Sequence, residues 1–406
     1  MKNTFLKLPQ NIYLLSVSQV IGMSATTIVT LLGGLIGADI APAPLLATLP
    51  ATTMIVGVAV TTIPAALLMK KIGRKNGFLL SALLASFSAL LTAFAVFHSN
   101  FFLFCIGTFL IGTNGAFVQQ YRFAAIESVS KNMASKAVGF VLLAGILAGI
   151  IGPEIAKRTK DLFSIQEYTG PFVFLAVLFV VSAFLLSFLK NTKIHEEDLH
   201  SKERPLKSII IQPHFFIAVL AAATGFGVMT FIMTATPIHL HKMSHYSIDN
   251  TVFIIQSHII AMFLPSLFTG ILIQRFGVFR ILLAGLASFC VTVVLAINAH
   301  AVLPYWAALV LLGIGWNFLY ISSTVLLAQS HSHLERFKAQ GVNDFIVVLS
   351  QMLASLFAGS VLFSEGWINL NLLTLPLILI CFVIFVLKRK QLAIAPSVSP
   401  KEEIPL

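Results

Sequence analysis

The sequence predicts an all-α membrane protein with twelve transmembrane helices in two pseudo-symmetric six-helix bundles. Three observations carry that prediction. The composition is 58% hydrophobic and only 10% charged. Apolar runs of spanning length recur from one end to the other. Short motifs repeat between the halves at a nearly constant offset. Soluble chains carry about a quarter charged residues, and a water-soluble shape can hide only a limited share of apolar surface. A bilayer removes that limit.

A helix needs about 20 apolar residues to cross a hydrocarbon core of roughly 30 Å. In the first half such runs fall at 13–36, 45–69, 78–97, 101–126, 137–155 and 171–189. In the second half they fall at 215–240, 252–273, 281–297, 302–328, 341–363 and 370–387. Phenylalanine, leucine and alanine dominate them, without the period-two alternation of barrel strands. Between runs six and seven lies the charged stretch 190–207. The chain therefore divides into an N-terminal bundle, 1–189, a cytoplasmic linker, 190–213, and a C-terminal bundle with its tail, 214–406. The linker reads as partly amphipathic and close to the membrane surface.

The net charge of +11 suggests nucleic acid only until the charges are placed. With the N-terminus inside, all the Lys and Arg residues but Lys157, Arg158, Lys160, Lys242 and Arg122 fall in the tails and the cytoplasmic connections. That asymmetry sets membrane orientation and not partner choice. A multi-pass protein of the cytoplasmic (inner) membrane with both termini in the cytoplasm follows. The first run is long for a cleaved leader, so it reads as a span. Cys105, Cys290 and Cys381 all fall within runs and read as small apolar fillers.

The halves repeat. Lys71-Ile72-Gly73 matches Arg275-Phe276-Gly277 at an offset of 204, and Gly112-Thr113-Asn114 matches Gly315-Trp316-Asn317 at 203. Lys136-Ala137-Val138-Gly139 matches Lys338-Ala339-Gln340-Gly341 at 202. Parallel repeats of six helices place a substrate path on the axis between them, near the midplane.

On these residues the chain resembles the major facilitator superfamily over essentially its whole length. The family's loop signature after span two, G-x-L-x-D-R-x-G-R-K, has counterparts in Ala66, Leu68, Lys70, Lys71, Gly73, Arg74 and Lys75. The second copy, Gly270, Leu272, Gln274, Arg275, Gly277 and Arg280, is closer to it. Both copies lack the acidic residue. In span five Gly139, Ala148, Gly152 and Pro153 resemble the family's antiporter signature. Gln119-Gln120-Tyr121-Arg122-Phe123 and Gly315-Trp316-Asn317-Phe318 are similar to a bacterial, drug- or metabolite-transporter-like branch. The resemblance implies that charges after span two hold an inner gate: Arg74 with Glu127, and Lys70 or Lys71 with Asp344, with Arg275 in the second copy. Solvated positive-inside charge is the alternative for the same residues. Gly139, Gly152, Pro153, Gly270 and Gly277 are structural under either reading, since small residues let helices approach and proline bends them.

Polar groups inside a membrane are functional candidates by default. Trp316, Asn317 and Tyr320 lie about 20–27 Å along span ten, near its middle. Trp and Tyr offer stacking surface with one polar group each, and Asn offers both donor and acceptor. They form a candidate substrate-binding patch, with helix packing as the alternative. Asn114 holds the equivalent place in span four, and Phe117 and Gln120 follow it inward. His258 is a coupling candidate, because imidazole titrates near neutral pH; a neutral ring donating to a carbonyl is the alternative. Arg122 either binds an anion, snorkels or joins the gate. His239, His241 and His245 are weak metal candidates, and no closed ligand set or cofactor site is predicted. No carboxylate lies deep in a span, which tells against a standard proton antiporter.

These features predict a secondary active transporter moving a small, neutral or weakly charged organic solute by alternating access. The fifth-span signature favours efflux, proton-coupled if coupled at all. Uptake of a nutrient, vitamin or metal chelate on the same scaffold is the alternative. A membrane receptor or enzyme is the reading from another class. No nucleophile–base pair or phosphate loop lies in the spans, so a non-enzyme is expected. The expected partners are a small-molecule substrate, protons if coupled, and the bilayer, with the chain acting as a monomer.

Overall fold

The computed structural model describes residues 8–129, 134–163, 166–190, 205–331 and 335–392. The chain divides into two compact units, Met1–Glu196 and Glu197–Ile404.

The first unit holds α1 (Gln10–Ile40), α2 (Leu49–Ile72), α3 (Arg74–Phe97), α4 (Phe101–Val118), α5 (Tyr121–Glu127), α6 (Ala134–Thr159) and α7 (Thr169–Ser187). The second holds α8 (Leu206–Ile210), α9 (Pro213–Pro237), α10 (Ile248–Phe263), α11 (Ser266–Phe276), α12 (Val278–Ile297), α13 (Val302–Ser330), α14 (Arg336–Leu372) and α15 (Leu375–Leu392). No strand occurs among the described residues.

α3 shows why these helices suit lipid. Most of its large residues point outward, with Leu80, Leu83, Leu90, Phe94 and Phe87 exposed, the last by 60%, while Phe78 near its start is buried. Its buried face is Ala82, Ala85, Ser88, Ala89 and Thr92. Water would punish that arrangement. In a bilayer, apolar attraction does not distinguish the two faces, so small residues that allow close packing go inward.

The units share one packing plan. In the first, α1 packs on α6, α2 and α3 on α4, and α3 on α7. In the second, α9 packs on α14, α10 and α12 on α13, and α12 on α15. The repeated motifs sit at matching places. Gly73 ends α2 at φ 83°, ψ 157°, and Gly277 ends α11 at φ 83°, ψ 150°. Each N–H closes the preceding turn, Gly73 on Met69 O at 2.9 Å and Gly277 on Ile273 O at 2.8 Å. A positive φ of this size is open to glycine and strained for other residues.

Among the described residues nine helical stretches are long and apolar enough to cross a membrane, or ten when α10 and α11 count as one. The predicted twelve differs from that count at two places. Run 137–155 lies in α6, outside the ten. Runs 341–363 and 370–387 lie in one stretch of 52 residues, Ala339–Lys390, interrupted at Gly366 by φ 79°. Three predicted runs differ in detail. Run 101–126 is one candidate span, Phe101–Ala125, whose helix is interrupted at Gln119-Gln120 between α4 and α5. Run 215–240 continues as a π-helical turn, Ile238–Met243, which carries His239 and His241. Run 252–273 becomes α10 and α11, bent by 44° at Leu264-Pro265, because proline has no N–H for the carbonyl four residues earlier.

Candidate functional site

In the second unit, helical spacing puts Trp316 and Tyr320 one turn apart on the same face of α13. Their rings stack, with centroids 4.9 Å apart and planes at 15°. Phe226 of α9 meets both edge-on, at 5.1 Å and 89° to Trp316 and at 5.4 Å and 86° to Tyr320. Phe263, the last residue of α10, meets Trp316 at 6.0 Å and 71°. Gly225 makes room for this: a methyl there would stand 3.2 Å from Leu319 Cβ. Trp316 is 4% exposed, while Phe226, Phe263 and Tyr320 are half-buried. Edge-to-face and stacked pairs of this kind match the quadrupoles of the rings. The Trp316 Nε1–H is buried and finds no acceptor in the structure. A buried donor without a partner is uncommon and calls for a reason.

Asn317 points elsewhere. It is fully buried. Its Nδ2 donates to Met262 O at 2.7 Å and to Ser266 Oγ at 2.6 Å. Its Oδ1 accepts from Thr269 Oγ1 at 2.7 Å. The Met262 carbonyl can only accept, which fixes the amide's orientation. The contacts of Asn317 are those of the packing alternative, tying α13 to both sides of the bend between α10 and α11.

In the first unit, Asn114 is buried and its Nδ2 donates to Ser81 Oγ at 3.1 Å. Phe117 lines an apolar groove with Thr61, Pro64, Leu67, Leu68 and Lys71. Gln120 is half-buried at the break between α4 and α5. Gln120 N donates to Phe117 O at 2.9 Å across that break.

His258 is fully buried in α10. Its Nδ1 lies 2.8 Å from Leu309 O. A carbonyl only accepts, so Nδ1 carries the proton and donates. Its Nε2 is buried without a partner. His239 stacks on Trp367 at 4.3 Å and 3°, with Nε2 2.9 Å from the Tyr305 hydroxyl. His241 Nδ1 donates to Tyr246 O at 2.9 Å. His245 is exposed with φ 57°. His239 and His241 are thus engaged with different neighbours, and no group of three metal-ligating side chains converges among the described residues.

Arg74 and Glu127 form a two-pronged ion pair, Nε to Oε2 at 2.6 Å and Nη2 to Oε1 at 2.5 Å. The Arg122 guanidinium lies over the Phe123 ring at 4.8 Å, and its buried Nε has no partner. Arg275 is exposed above the Phe276 ring at 5.4 Å. Asp344 is exposed and accepts from Asn343 Nδ2 at 3.1 Å. The Lys70 side chain and the surroundings of Gly139 lie outside the described side chains. Gly152 is where α6 meets α1: a methyl there would overlap Thr27 Oγ1 and reach Ser24 O. Pro153 is buried beside it inside α6. Gly270 has open space around it.

The sequence reading missed Phe226, Phe263, Pro265 and Thr269. Pro265 inside an apolar run was the available signal, because proline interrupts the helical ladder. Nothing singled out two phenylalanines among 35.

The Major Facilitator Superfamily sequence profile matches residues 14–266 and 253–404. The chain is 38% identical over 383 residues to the riboflavin transporter RfnT of Brucella anthropi, covering 94% of this chain and 96% of the relative. It is 24% identical over 394 residues to the uncharacterized MFS-type transporter YdeG of Bacillus subtilis, covering 93% and 91%. Among solved structures it is similar to an inward-facing, unoccupied bacterial homolog of the human lysosomal transporter Spinster. The TM-score is 0.76 at 13% identity, over 96% of this chain and 98% of that chain. At that identity the likeness shows the fold.

Proposed function

The chain belongs to the major facilitator superfamily, and from that premise we propose that this multi-pass membrane transporter takes up riboflavin or a closely related flavin by alternating access. The observation that carries the proposal is the four-ring cluster of Phe226, Phe263, Trp316 and Tyr320. A flavin is a flat, fused heteroaromatic with ring-nitrogen and carbonyl acceptors and a hydroxylated chain. Flat rings stack on Trp and Tyr, and the unpartnered Trp316 N–H is a donor such an acceptor satisfies. Riboflavin is neutral near pH 7, which suits a site built from rings and amides without a deep carboxylate. The relative named a riboflavin transporter supports the same ligand.

Uptake is preferred to efflux. The efflux reading rested on the glycine series of the fifth span, and Gly152 there has a packing role against Thr27 and Ser24. The donor geometry of His258 supports its packing role over a coupling role. The Arg74–Glu127 pair is proposed as a latch that opens during the access cycle.

Twelve crossings with both termini in the cytoplasm complete the proposal. The 52-residue stretch Ala339–Lys390 is about 78 Å long at 1.5 Å per residue, enough for two cores of roughly 30 Å. α6, with 26 residues, is long enough for one. The orientation follows from the Lys and Arg distribution.

The test is flux of labelled riboflavin into vesicles containing only this protein, with and without a pH gradient. Saturable entry that unlabelled riboflavin competes away is expected. Vesicles no more permeable than protein-free controls would reject the ligand.

A further inference from the structure

We infer that Asn317 is a positioning residue: it fixes the bend between α10 and α11, and through that bend it holds Phe263 against Trp316. The inference rests on reading the aromatic cluster as the ligand-binding surface.

The bend begins with Pro265, which has no N–H to offer the Ala261 carbonyl. The last regular bond before it is Leu264 N to Ile260 O at 2.8 Å. Beyond it, Phe268 N and Thr269 N both donate to Pro265 O, at 2.8 and 2.9 Å. A proline break of this kind is a joint, and its angle depends on what bridges it. Asn317 provides that bridge from a third helix. Met262 O lies before the break; Ser266 Oγ and Thr269 Oγ1 lie after it, and one amide holds all three at 2.6–2.7 Å. The Thr269 hydroxyl has one proton for two acceptors, Asn317 Oδ1 at 2.7 Å and Pro265 O at 2.8 Å, so the clamp is also joined to the break's own carbonyl.

The consequence for the site follows from adjacency. Asn317 is the next residue after Trp316, and Met262, its acceptor, is the residue before Phe263. The same pair of neighbouring residues on α13 therefore sets the bend and carries the central ring. If the clamp is cut, the two segments are free to change angle, and Phe263 at the joint is the ring that moves. Phe226 is on α9 and Tyr320 on α13, so their contacts with Trp316 do not cross the joint. The effect of Asn317 is selective: it acts through one ring of the four.

That selectivity separates positioning from general support. Riboflavin binding to the purified full-length protein is followed by quenching of the flavin's own fluorescence. Phe263→Ala and Asn317→Ala should each weaken binding about 3- to 10-fold, the size of one aromatic edge contact. The double variant should be no weaker than the poorer single one, since both changes remove the same contact. Asn317→Ala with Phe226→Ala should instead multiply. Should Asn317→Ala not fold, Ser266→Ala and Thr269→Val remove clamp bonds from the other side and take its place.

A spin-label pair at positions 253 and 271, one on each segment, should give a broader distance distribution in Asn317→Ala than in wild type. Losses that multiply with Phe263→Ala, or an unchanged label distribution, overturn the inference. If wild-type protein binds no riboflavin, the substrate reading fails by itself, and the label pair alone decides whether Asn317 sets the bend.

Discussion

Replacing Arg74 with alanine removes both hydrogen bonds that its guanidinium donates to the Glu127 carboxylate. The pair is two-pronged, at 2.6 and 2.5 Å, and its side chains are 22% and 24% exposed. Cutting a fully buried pair costs roughly 3–5 kcal/mol, whereas an exposed pair contributes about 0–1 kcal/mol. At a quarter exposure, the loss for either single variant falls between, at about 1–3 kcal/mol. Arg74→Ala and Glu127→Ala should each destabilise the first unit by that amount. The double variant should lose less than the sum, by a coupling of about 1–2 kcal/mol. For a unit of this size that corresponds to roughly 2–8 °C in melting temperature. Arg74→Lys should fall between wild type and Arg74→Ala, because an ammonium cannot fork onto both oxygens. The assay is thermal unfolding of the four proteins of the cycle in one detergent at one heating rate. Strict additivity would show that the two side chains do not act as a pair. A latch would then have no physical basis in this contact.

Three further outcomes are expected. Tyr320→Ala should lower riboflavin affinity about 3- to 10-fold by removing a stacking partner of Trp316, read in a binding titration; unchanged affinity would remove the ring cluster from the site. Gly152→Ala should cost about 1–3 kcal/mol by overpacking α6 on α1, and Thr27→Ala in the same chain should restore much of it, since Thr27 Oγ1 is the atom displaced; a rescue that fails in thermal unfolding would mean the contact is not tight. Lys160, just past α6, loses hydration by partial burial, but Glu167 at 3.2 Å and Asp161 at 3.4 Å outweigh that and raise its pKa. A raised folded pKa stabilises fully below the unfolded lysine value of about 10.4 and ceases to do so as pH rises through the raised value, so the melting gap between wild type and Lys160→Met should hold steady at pH 7–9 and close only as pH rises past about 10.4.

The fold was legible because its signals are local. Runs of apolar residues fix the spans, and glycines such as Gly73 and Gly277 mark turns that a side chain would strain. The Gly112–Asn114 and Gly315–Asn317 matches placed both asparagines correctly on equivalent helices. The site was only partly legible. Trp316 and Tyr320 declare themselves because large polar-tipped rings are rare in mid-span. Phe226 and Phe263 do not, since they differ from other phenylalanines only in what packs against them. Asn317 shows the limit most clearly. Its residue type fits ligand binding and helix packing equally, and its partners, Met262, Ser266 and Thr269, come together only after Pro265 bends the chain. Pairings across a bend carry no spacing signal.

The two asparagines also differ in where they find their partners. Asn114 reaches sideways to Ser81 on α3. At the same offset of 204 that relates Gly73 to Gly277, the counterpart of Ser81 is Gly285 on α12. Gly285 has no hydroxyl to offer, and the α13 backbone comes close there: a methyl on Gly285 would stand 3.0 Å from Gly315 O. Asn317 therefore has no partner on α12. A buried amide left unpaired in a span costs free energy. The polar groups at the broken helix on its other side supply what α12 no longer does. Trp316 and Tyr320 stand where the first half has Thr113 and Phe117, so the stacked pair belongs to the second unit alone. On the proposed reading, a glycine at the place of Ser81, one proline and two larger or more polar rings are what set the binding surface of the second unit apart from the packing position of the first.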